Sequence, residues 1–196
     1  MAIGEKPMVI KGLSKKYEIE SSENKDYIAL KPLSLYMEEK EIFGLLGPNG
    51  AGKTTMISVL TGMYPQTSGN AYINGMSIGT SSTNKYIGVC PQFDLLWPDM
   101  TVYEHLKFYS LLKMVNSEII EQEITDLLKD VDLLEWKDTA SSKLSGGMQR
   151  RLSLAISLVG NPKVVFLDEP SSGLDPSHRR QMWNILLSNI LSLSFL

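Results

Sequence analysis

The first half of the chain alternates short apolar runs with clusters of turn residues, a pattern typical of β-strands. Strands are predicted in "MVIKGLSKKYEI", on both sides of the charged turn in "LSLYMEEKEIFGLLG", in "NAYINGMSI" and in "YIGVCPQ". The polar stretch "ESSENKDY" is predicted to be a surface loop. By contrast, "GKTTMISVLTGMY" has helical character, and Gly62 is suited to end that helix.

In the second half the spacing of apolar residues becomes helical. Thr101 and Glu104 form the Thr-x-x-Glu pattern of a capping box, which predicts a helix from there to about Met114. Two further helices are predicted, one over "SEIIEQEITDLLKDVDLL" and one after "SSKLSGG". Their predicted buried positions are Ile120, Ile124, Leu127, Leu128 and Val131 in the first, and Leu152, Ala155, Ile156 and Val159 in the second.

The run "KVVFLDE" is apolar throughout and ends in two carboxylates, as does a strand buried on both faces of a mostly parallel sheet. Together these elements predict an α/β fold in a single domain, residues 1–196. Its core comprises about 1–92 and 144–196, and a helical subdomain of about fifty residues is inserted at about 93–143.

The amino-acid composition is that of a globular domain, and the net charge limits the kinds of partner that the domain is expected to bind. The 196 residues are 43% hydrophobic and 21% charged, with a net charge of −3. This negative net charge argues against nucleic acid as a partner, because binding to the phosphate backbone usually requires a positively charged surface. The basic pair Arg150-Arg151 is too small to change that conclusion. Cys90 alone allows no intrachain disulfide, which suits a reducing compartment. No stretch approaches the roughly 18–20 uninterrupted apolar residues of a membrane span, so this chain is not expected to cross a bilayer.

The segment "GPNGAGKT", Gly47–Thr54, fits the pattern G-x-x-x-x-G-K-[ST] between a predicted strand and a predicted helix. Glycines allow backbone N–H groups to approach phosphate oxygens, and the following helix adds the positive end of its dipole. Lys53 is suited to reach the β- and γ-phosphates, and the Thr54 hydroxyl is suited to hold Mg²⁺. The segment therefore predicts a nucleotide site.

Asp168 and Glu169 end the buried strand, at the edge where parallel sheets bind ligands. Asp168 is the predicted acidic partner for Mg²⁺. Glu169 is expected to point toward the γ-phosphate and to polarise an attacking water as general base.

A second glycine turn, "LSGGMQRR" at Leu144–Arg151, stands at another predicted helix start. Together with the P-loop, Gln92 in "VCPQFD", the Asp-Glu pair and "SGLD" at Ser172–Asp175, it resembles the nucleotide-binding domain of ABC ATPases. The resemblance covers the chain from about Tyr17 to Asp175, and the motifs occur in the family's order.

The resemblance implies ATP and Mg²⁺ as cofactors and assigns a role to each motif. Glu169, Gln92 and Lys53 are implied as catalytic, and Thr54, Gln92 and Asp168 as metal ligands. Tyr17 resembles the aromatic that stacks on adenine. Ser145, Gly146 and Gly147 resemble the signature that touches ATP held by a second, head-to-tail domain, with Ser172–Asp175 across the same interface. The implied nucleotide-binding residues are Tyr17, Gly47, Pro48, Asn49, Gly50, Ala51, Gly52, Lys53, Thr54, Thr55, Ser145, Gly146 and Gly147.

Met148 stands where glutamine is usual in the signature, and this variant followed by "QRR" resembles subfamily A. That resemblance implies an ATPase that drives transmembrane transport, with lipids as the substrate class. Its implied partners are a second cassette and the transmembrane domains of a transporter. The implied location is the cytoplasmic face of a membrane.

The family's switch histidine follows a strand beyond "SGLD", and no such residue is recognisable here. His105 and His178 are predicted to be ordinary packing or surface residues, and "NILLSNILSLSFL" is predicted to continue as an apolar helix. We therefore expect the chain to be a C-terminally truncated cassette. Two alternatives stay open: a binding or interaction fragment impaired in hydrolysis, and a soluble ABC ATPase unconnected with transport.

Overall fold

The computed structural model describes Gly4 and residues 6–18, 26–172, 174–189 and 194–195. Its strands form two separate sheets. The first is antiparallel, with strand order β2-β1-β3-β4, and the second is parallel, with order β5-β6-β7. The strands are β1 (Met8–Tyr17), β2 (Tyr27–Met37), β3 (Ser68–Ile73), β4 (Met76–Ser77), β5 (Ile87–Cys90), β6 (Val164–Leu167) and β7 (Ser194–Phe195).

Five α-helices accompany the sheets in the described part of the chain. The capping box at Thr101 is confirmed, since its hydroxyl accepts from the Glu104 N–H while its own N–H donates to the Glu104 carboxylate. Gly62, at φ 77°, follows the first helix as predicted. The helices are α1 (Lys53–Leu60), α2 (Val102–Leu112), α3 (Ile120–Asp130), α4 (Gly146–Leu158) and α5 (Pro176–Asn189).

Two apolar clusters hold these elements together. One lies between the antiparallel sheet, α1 and the strands β5 and β6, where Phe166 is fully buried. The other joins helices α2 to α5 to β6. The predicted buried faces of α3 and α4 lie in this second cluster, except that Ile156 is only partly buried. Because β6 contributes to both clusters, it is buried on both faces, as its uninterrupted apolar run predicts.

The tail prediction was wrong at its end. Helix α5 ends at Asn189, and Ser194–Phe195 form a short parallel strand beside β6, with Val164 opposite Ser194. The edge of β6 offers unpaired backbone groups there, and a parallel strand satisfies them where a helix would not. Residues 190–193 and 196 of the predicted tail helix lie outside the described part, as do residues 19–25 of the predicted surface loop.

A second correction concerns the strand predicted before the P-loop. Ile42 makes a lone bridge, and residues 43–48 are not in a strand. An apolar run alone does not form a strand, because a strand also needs a hydrogen-bonded neighbour. Between Phe43–Leu46 and the end of β6 there is instead an apolar cavity of about 270 Å³, also lined by Trp183 and Leu186.

Candidate functional site

The phosphate loop, Gly47–Thr54, leads directly into helix α1. Gly50 and Gly52 have φ of 82° and 91°, which only glycine adopts readily. At Gly52 a Cβ would also lie 2.4 Å from the Ala29 carbonyl oxygen. The loop therefore needs glycine here for two reasons. The first N–H groups of α1, which have no partner within the helix, form an anion-attracting end beside the loop.

The Lys53 side chain folds back across this loop. Its ammonium donates hydrogen bonds to the carbonyl oxygens of Gly47, at 2.8 Å, and Pro48, at 3.2 Å. The positive charge therefore lies within the concave side of the loop, where it favours a bound anion.

The carboxylate pair lies at the carboxyl end of β6, next to α1. The Thr54 hydroxyl donates to the Asp168 carboxylate at 3.4 Å, and the Asp168 N–H donates to the Cys90 carbonyl at 3.0 Å. A hydroxyl and a carboxylate at this separation are oxygen donors of the type that Mg²⁺ prefers. The residues present therefore fit a magnesium ion that is shared with a bound phosphate.

Gln92 reaches the second carboxylate. Strands β5 and β6 pair in register, with Cys90 opposite Leu167, so that the residues following each strand come together. The Gln92 amide donates to the Glu169 carboxylate at 3.3 Å. Glu169 has φ 46°, a left-handed conformation that costs a non-glycine residue free energy and is most common at functional sites.

These groups surround one open cavity of about 410 Å³, a size in the range of small-molecule sites. It combines the Lys53 cation with two carboxylates and the glycine-rich backbone. Its lining residues are Tyr27, Ala29, Asn49, Gly50, Gly52, Lys53, Thr54, Thr55, Gln92, Asp168 and Glu169.

Tyr27 is a lining residue that the sequence did not indicate. It lies opposite Tyr17 in the β1–β2 register. Tyr17 itself is not among the residues lining this cavity; its ring packs edge-on against Tyr64 at 6.3 Å, with the Lys15 ammonium 5.0 Å from its centre. Strand pairing across a polar loop would have been needed to find Tyr27, and no local pattern reveals that pairing.

The signature turn, Leu144–Gly147, begins helix α4. Ser145 is its N-cap, and the hydroxyl accepts from the Met148 N–H at 3.3 Å. Ser145 and Gly146 are exposed, and neither they nor Gly147 line the cavity beside Lys53. The turn therefore presents its helix start to the surface, away from the phosphate loop.

Asp175 and His178 lie beside that turn. One Asp175 oxygen caps α5 by accepting from the N–H groups of Ser177 and His178, and the other is 2.5 Å from the His178 ring. The His178 hydrogen bond, followed by those from Ser177, holds the pKa of the Asp175 carboxyl well below its usual range. A Cβ on Gly147 would lie 2.6 Å from the same ring. Ser172, Leu174 and Asp175 are described, while Gly173 lies outside the described residues.

Two titratable residues, His105 and Cys90, are buried. His105, predicted as a packing residue, accepts from the Trp97 N–H through Nε2, and burial lowers the pKa of its ring. Burial raises the pKa of the Cys90 thiol to about 11, so this thiol is protonated at neutral pH. In the described residues no helix has the length and apolar character of a membrane span.

A glycine-rich phosphate loop that meets a strand-end carboxylate pair, in a fold of antiparallel and parallel sheets with helices, defines a nucleotide-binding domain of the P-loop class. Solved structures agree on the fold. One is the ATP-binding cassette MJ0796 in a dimeric post-hydrolysis state bound to ADP and Pi. The match covers 96% of this chain and 86% of the MJ0796 chain, with a TM-score of 0.82 at 23% sequence identity. The match to Clostridium perfringens cbiO1, part of the ABC transporter complex cbiONQ, covers 97% of this chain and 77% of the cbiO1 chain. Its TM-score is 0.82 at 24% sequence identity.

Residues 30–172 match the family model described as "ABC transporter". ABC transporter A family member 8 of Arabidopsis thaliana is 47% identical over 167 residues, which cover 83% of this chain. Member 2 from the same plant is 44% identical over 188 residues, or 90% of this chain. This chain belongs to the ABC transporter family, as its ATPase domain. It spans 18% and 19%, respectively, of these two relatives' lengths.

Proposed function

We propose that this chain binds and hydrolyses ATP and thereby drives transmembrane transport as part of a larger ABC transporter. The observation that supports this best is the contact between Thr54 and Asp168, which are 114 positions apart in sequence. It joins the phosphate loop to the carboxylate pair in one cavity. A structural glycine turn would not need an acidic neighbour.

Five side chains of the cavity have a chemical role in this proposal: Lys53, Thr54, Gln92, Asp168 and Glu169. Lys53 and the loop amides hold the β- and γ-phosphates. Mg²⁺ would be held by Thr54, Gln92 and Asp168, and it neutralises phosphate charge when bound. Glu169 accepts a proton from the attacking water as general base, and the Gln92 amide orients its carboxylate. Tyr17, which does not line this cavity, is proposed to stack on adenine beside it.

The second glycine turn is proposed to act on another domain's nucleotide. Ser145, Gly146 and Gly147 would complete the γ-phosphate site of a second cassette packed head to tail, and Ser172–Asp175 would lie across that interface. The exposure of Ser145 and Gly146 supports this role, since neither residue lines the chain's own cavity.

The transport context is a proposal drawn from the A family relatives. The cassette, with its core at about 1–92 and 144–196 and its helical subdomain at about 93–143, would lie on the cytoplasmic face of a membrane. There it would contact transmembrane domains, and lipids are the proposed substrate class.

Replacing the loop lysine tests nucleotide binding. Lys53→Ala is expected to weaken binding of a fluorescent ATP analogue at least about tenfold, because it removes charge-assisted hydrogen bonds to phosphate. The matched control is Lys163→Ala, which removes an exposed lysine away from the cavity. Equal affinities in the two variants would contradict the assignment.

A steady-state phosphate-release assay then separates hydrolysis from binding alone. Wild-type release should depend on Lys53 and fall at least about a hundredfold in Glu169→Gln, since a positioned general base typically contributes 10²–10⁴-fold. Binding that depends on Lys53 without any release would instead favour the alternative function, a nucleotide-binding fragment that pairs with other cassettes.

A further inference from the structure

Arg150 is a charged residue buried in the interior, on the inner face of helix α4. Only 4% of its surface is exposed. Its Nε donates to the Pro170 carbonyl at 2.9 Å, and its Nη1 donates to the Pro91 carbonyl at 2.7 Å and to Asp94 at 2.9 Å. A longer contact from Nη1 reaches the Gln92 carbonyl at 3.3 Å. One guanidinium therefore binds two separate segments of backbone.

Those two segments bear the side chains proposed for catalysis. Gln92 lies within the first, and Pro170 directly follows Glu169 in the second. The Gln92 and Glu169 side chains meet each other at 3.3 Å. Because a guanidinium is planar and its donors are fixed in direction, it sets the distance between the two backbones more rigidly than a flexible amine would.

Stability alone does not account for an arginine here. The Nη2 of Arg150 is buried and has no hydrogen-bond partner among the described residues. Burying a cation and leaving one of its donors unpaired both cost free energy, and apolar residues of similar volume are often at least as stable. The hydrogen bonds that the guanidinium makes with described residues are all with the two segments of the site.

Arg150 is also close to the start of the same helix. Helix α4 begins at Gly146 after the Ser145 cap, so Arg150 lies just over one turn from the signature turn. A displacement of the helix start is therefore transmitted through a rigid element to the backbone of Gln92 and Pro170.

We propose that Arg150 is a positioning residue that couples the signature turn to the chain's own ATP site by fixing the Gln92 and Glu169 segments relative to each other. The turnover that it controls is the ATP hydrolysis of the proposed function. The positional effect on the two segments does not depend on that hydrolysis.

Arg151 provides a matched control in the next position of the same helix. Its Nη1 binds the Val131 carbonyl at 3.1 Å and the Asp132 carboxylate at 2.9 Å, just beyond helix α3. None of its described hydrogen bonds reaches residues 91–94 or 168–171. Replacing it removes the same chemical group from α4 without loosening the site segments.

The experiment compares the full chain with the variants Arg150→Gln, Arg150→Lys and Arg151→Gln. Amide hydrogen exchange of peptides covering 91–94 and 168–171 reports on the segments, and a fluorescent ATP analogue reports on binding. We expect exchange in both segments to be at least about tenfold faster in Arg150→Gln. ATP-analogue affinity should stay within about threefold of wild type, because Lys53 and its loop are untouched. Arg150→Lys keeps the charge and should show an intermediate effect, and it replaces Arg150→Gln if that variant does not fold.

Phosphate release adds a readout that a purely structural residue would not change. In Arg150→Gln the kcat should fall about 10- to 100-fold with little change in KM, since a small misplacement of catalytic groups costs up to about a hundredfold. Arg151→Gln should keep the wild-type kcat. Unchanged exchange in Arg150→Gln, or equal effects of the two glutamine variants, would overturn the proposal. Binding that does not depend on Lys53 would instead refute the proposed function and leave the exchange result interpretable.

Discussion

The phosphate loop and the signature turn are two glycine-containing starts of helices, and they differ in what surrounds them. The loop has the Lys53 ammonium within it and Asp168 against it, inside a cavity. The signature turn has a serine cap and an exposed surface. The start of a helix becomes an anion-binding site only when neighbouring elements add charged side chains and enclose it in a cavity. By this criterion the phosphate loop belongs to a walled cavity of this chain, whereas the signature turn is an exposed surface, which we propose completes the site of a second cassette.

The largest expected difference is in the affinity for ATP when one glycine from each turn is replaced by alanine. Gly52→Ala places a Cβ 2.4 Å from the Ala29 carbonyl at a residue with φ 91°, so the loop must move. We expect affinity for a fluorescent ATP analogue to fall at least about a hundredfold, given how strongly small misplacements of binding groups act. In Gly146→Ala the added Cβ meets nothing within 4 Å, and affinity should stay within about twofold. Similar losses in both variants would show that the two turns do not differ as proposed.

A second difference concerns the pH dependence of stability and the C-terminal end of helix α4, which begins at the signature turn. Lys113 donates to the Val159 carbonyl at 2.8 Å, and burial lowers the pKa of its ammonium from 10.5 to about 8, with Glu123 opposing the shift. Between these values the unfolded chain holds the Lys113 proton and the folded chain has released it, so the contribution of Lys113 to the free energy of unfolding should rise with pH. The Cys90 thiol, whose pKa is raised by burial from 9.0 to about 11, opposes this rise above about pH 9. The rise is at most about 3 kcal/mol.

Urea unfolding between pH 7 and 10 measures this effect. The rise should disappear in Lys113→Met and persist in Lys129→Met, which removes an exposed lysine of α3 that pairs with Asp126. ATP-analogue affinity of the Lys113→Met chain at pH 7 should match wild type, since Lys113 contacts the signature helix and not the phosphate loop. Persistence of the rise in Lys113→Met would assign it to other groups.

The smallest expected effect is loss of the signature cap. Ser145→Ala removes the acceptor of the Met148 N–H and should lower the free energy of unfolding by about 1 kcal/mol. Ser145→Thr should retain most of that stability, because its hydroxyl can serve as the cap. Thermal unfolding at one pH is sufficient for the comparison. An ATP-analogue affinity that changed with the cap would place the signature turn in the chain's own site.

Features that depend on contiguous residues were predictable from the sequence. Gly47–Thr54 is one uninterrupted segment, and its pattern determines both the turn and the helix that follows it. Asp168 was predictable because the run before it is apolar throughout and must end at the edge of the sheet. The meeting of Thr54 and Asp168 then follows from the way parallel sheets arrange their strand ends.

Features that depend on how distant segments approach each other were not predictable. Tyr27 enters the cavity only through its register with β1 across the loop between them. Arg150 was part of a recognised motif, but nothing in the spacing of that motif shows which backbone segments its guanidinium binds. The second strand expected in "LSLYMEEKEIFGLLG" failed for the same reason, since an apolar run says nothing about whether a neighbouring strand pairs with it.

The left-handed backbone conformation of Glu169 affects which residue type is most stable at this position. Glycine would adopt the φ of 46° with less strain, by a free energy on the order of 1 kcal/mol. Folding stability therefore favours a residue without a side chain, whereas the proton abstraction proposed for Glu169 requires a carboxylate. Under the proposed function, Glu169 is a position where the most stable sequence and the most active sequence differ.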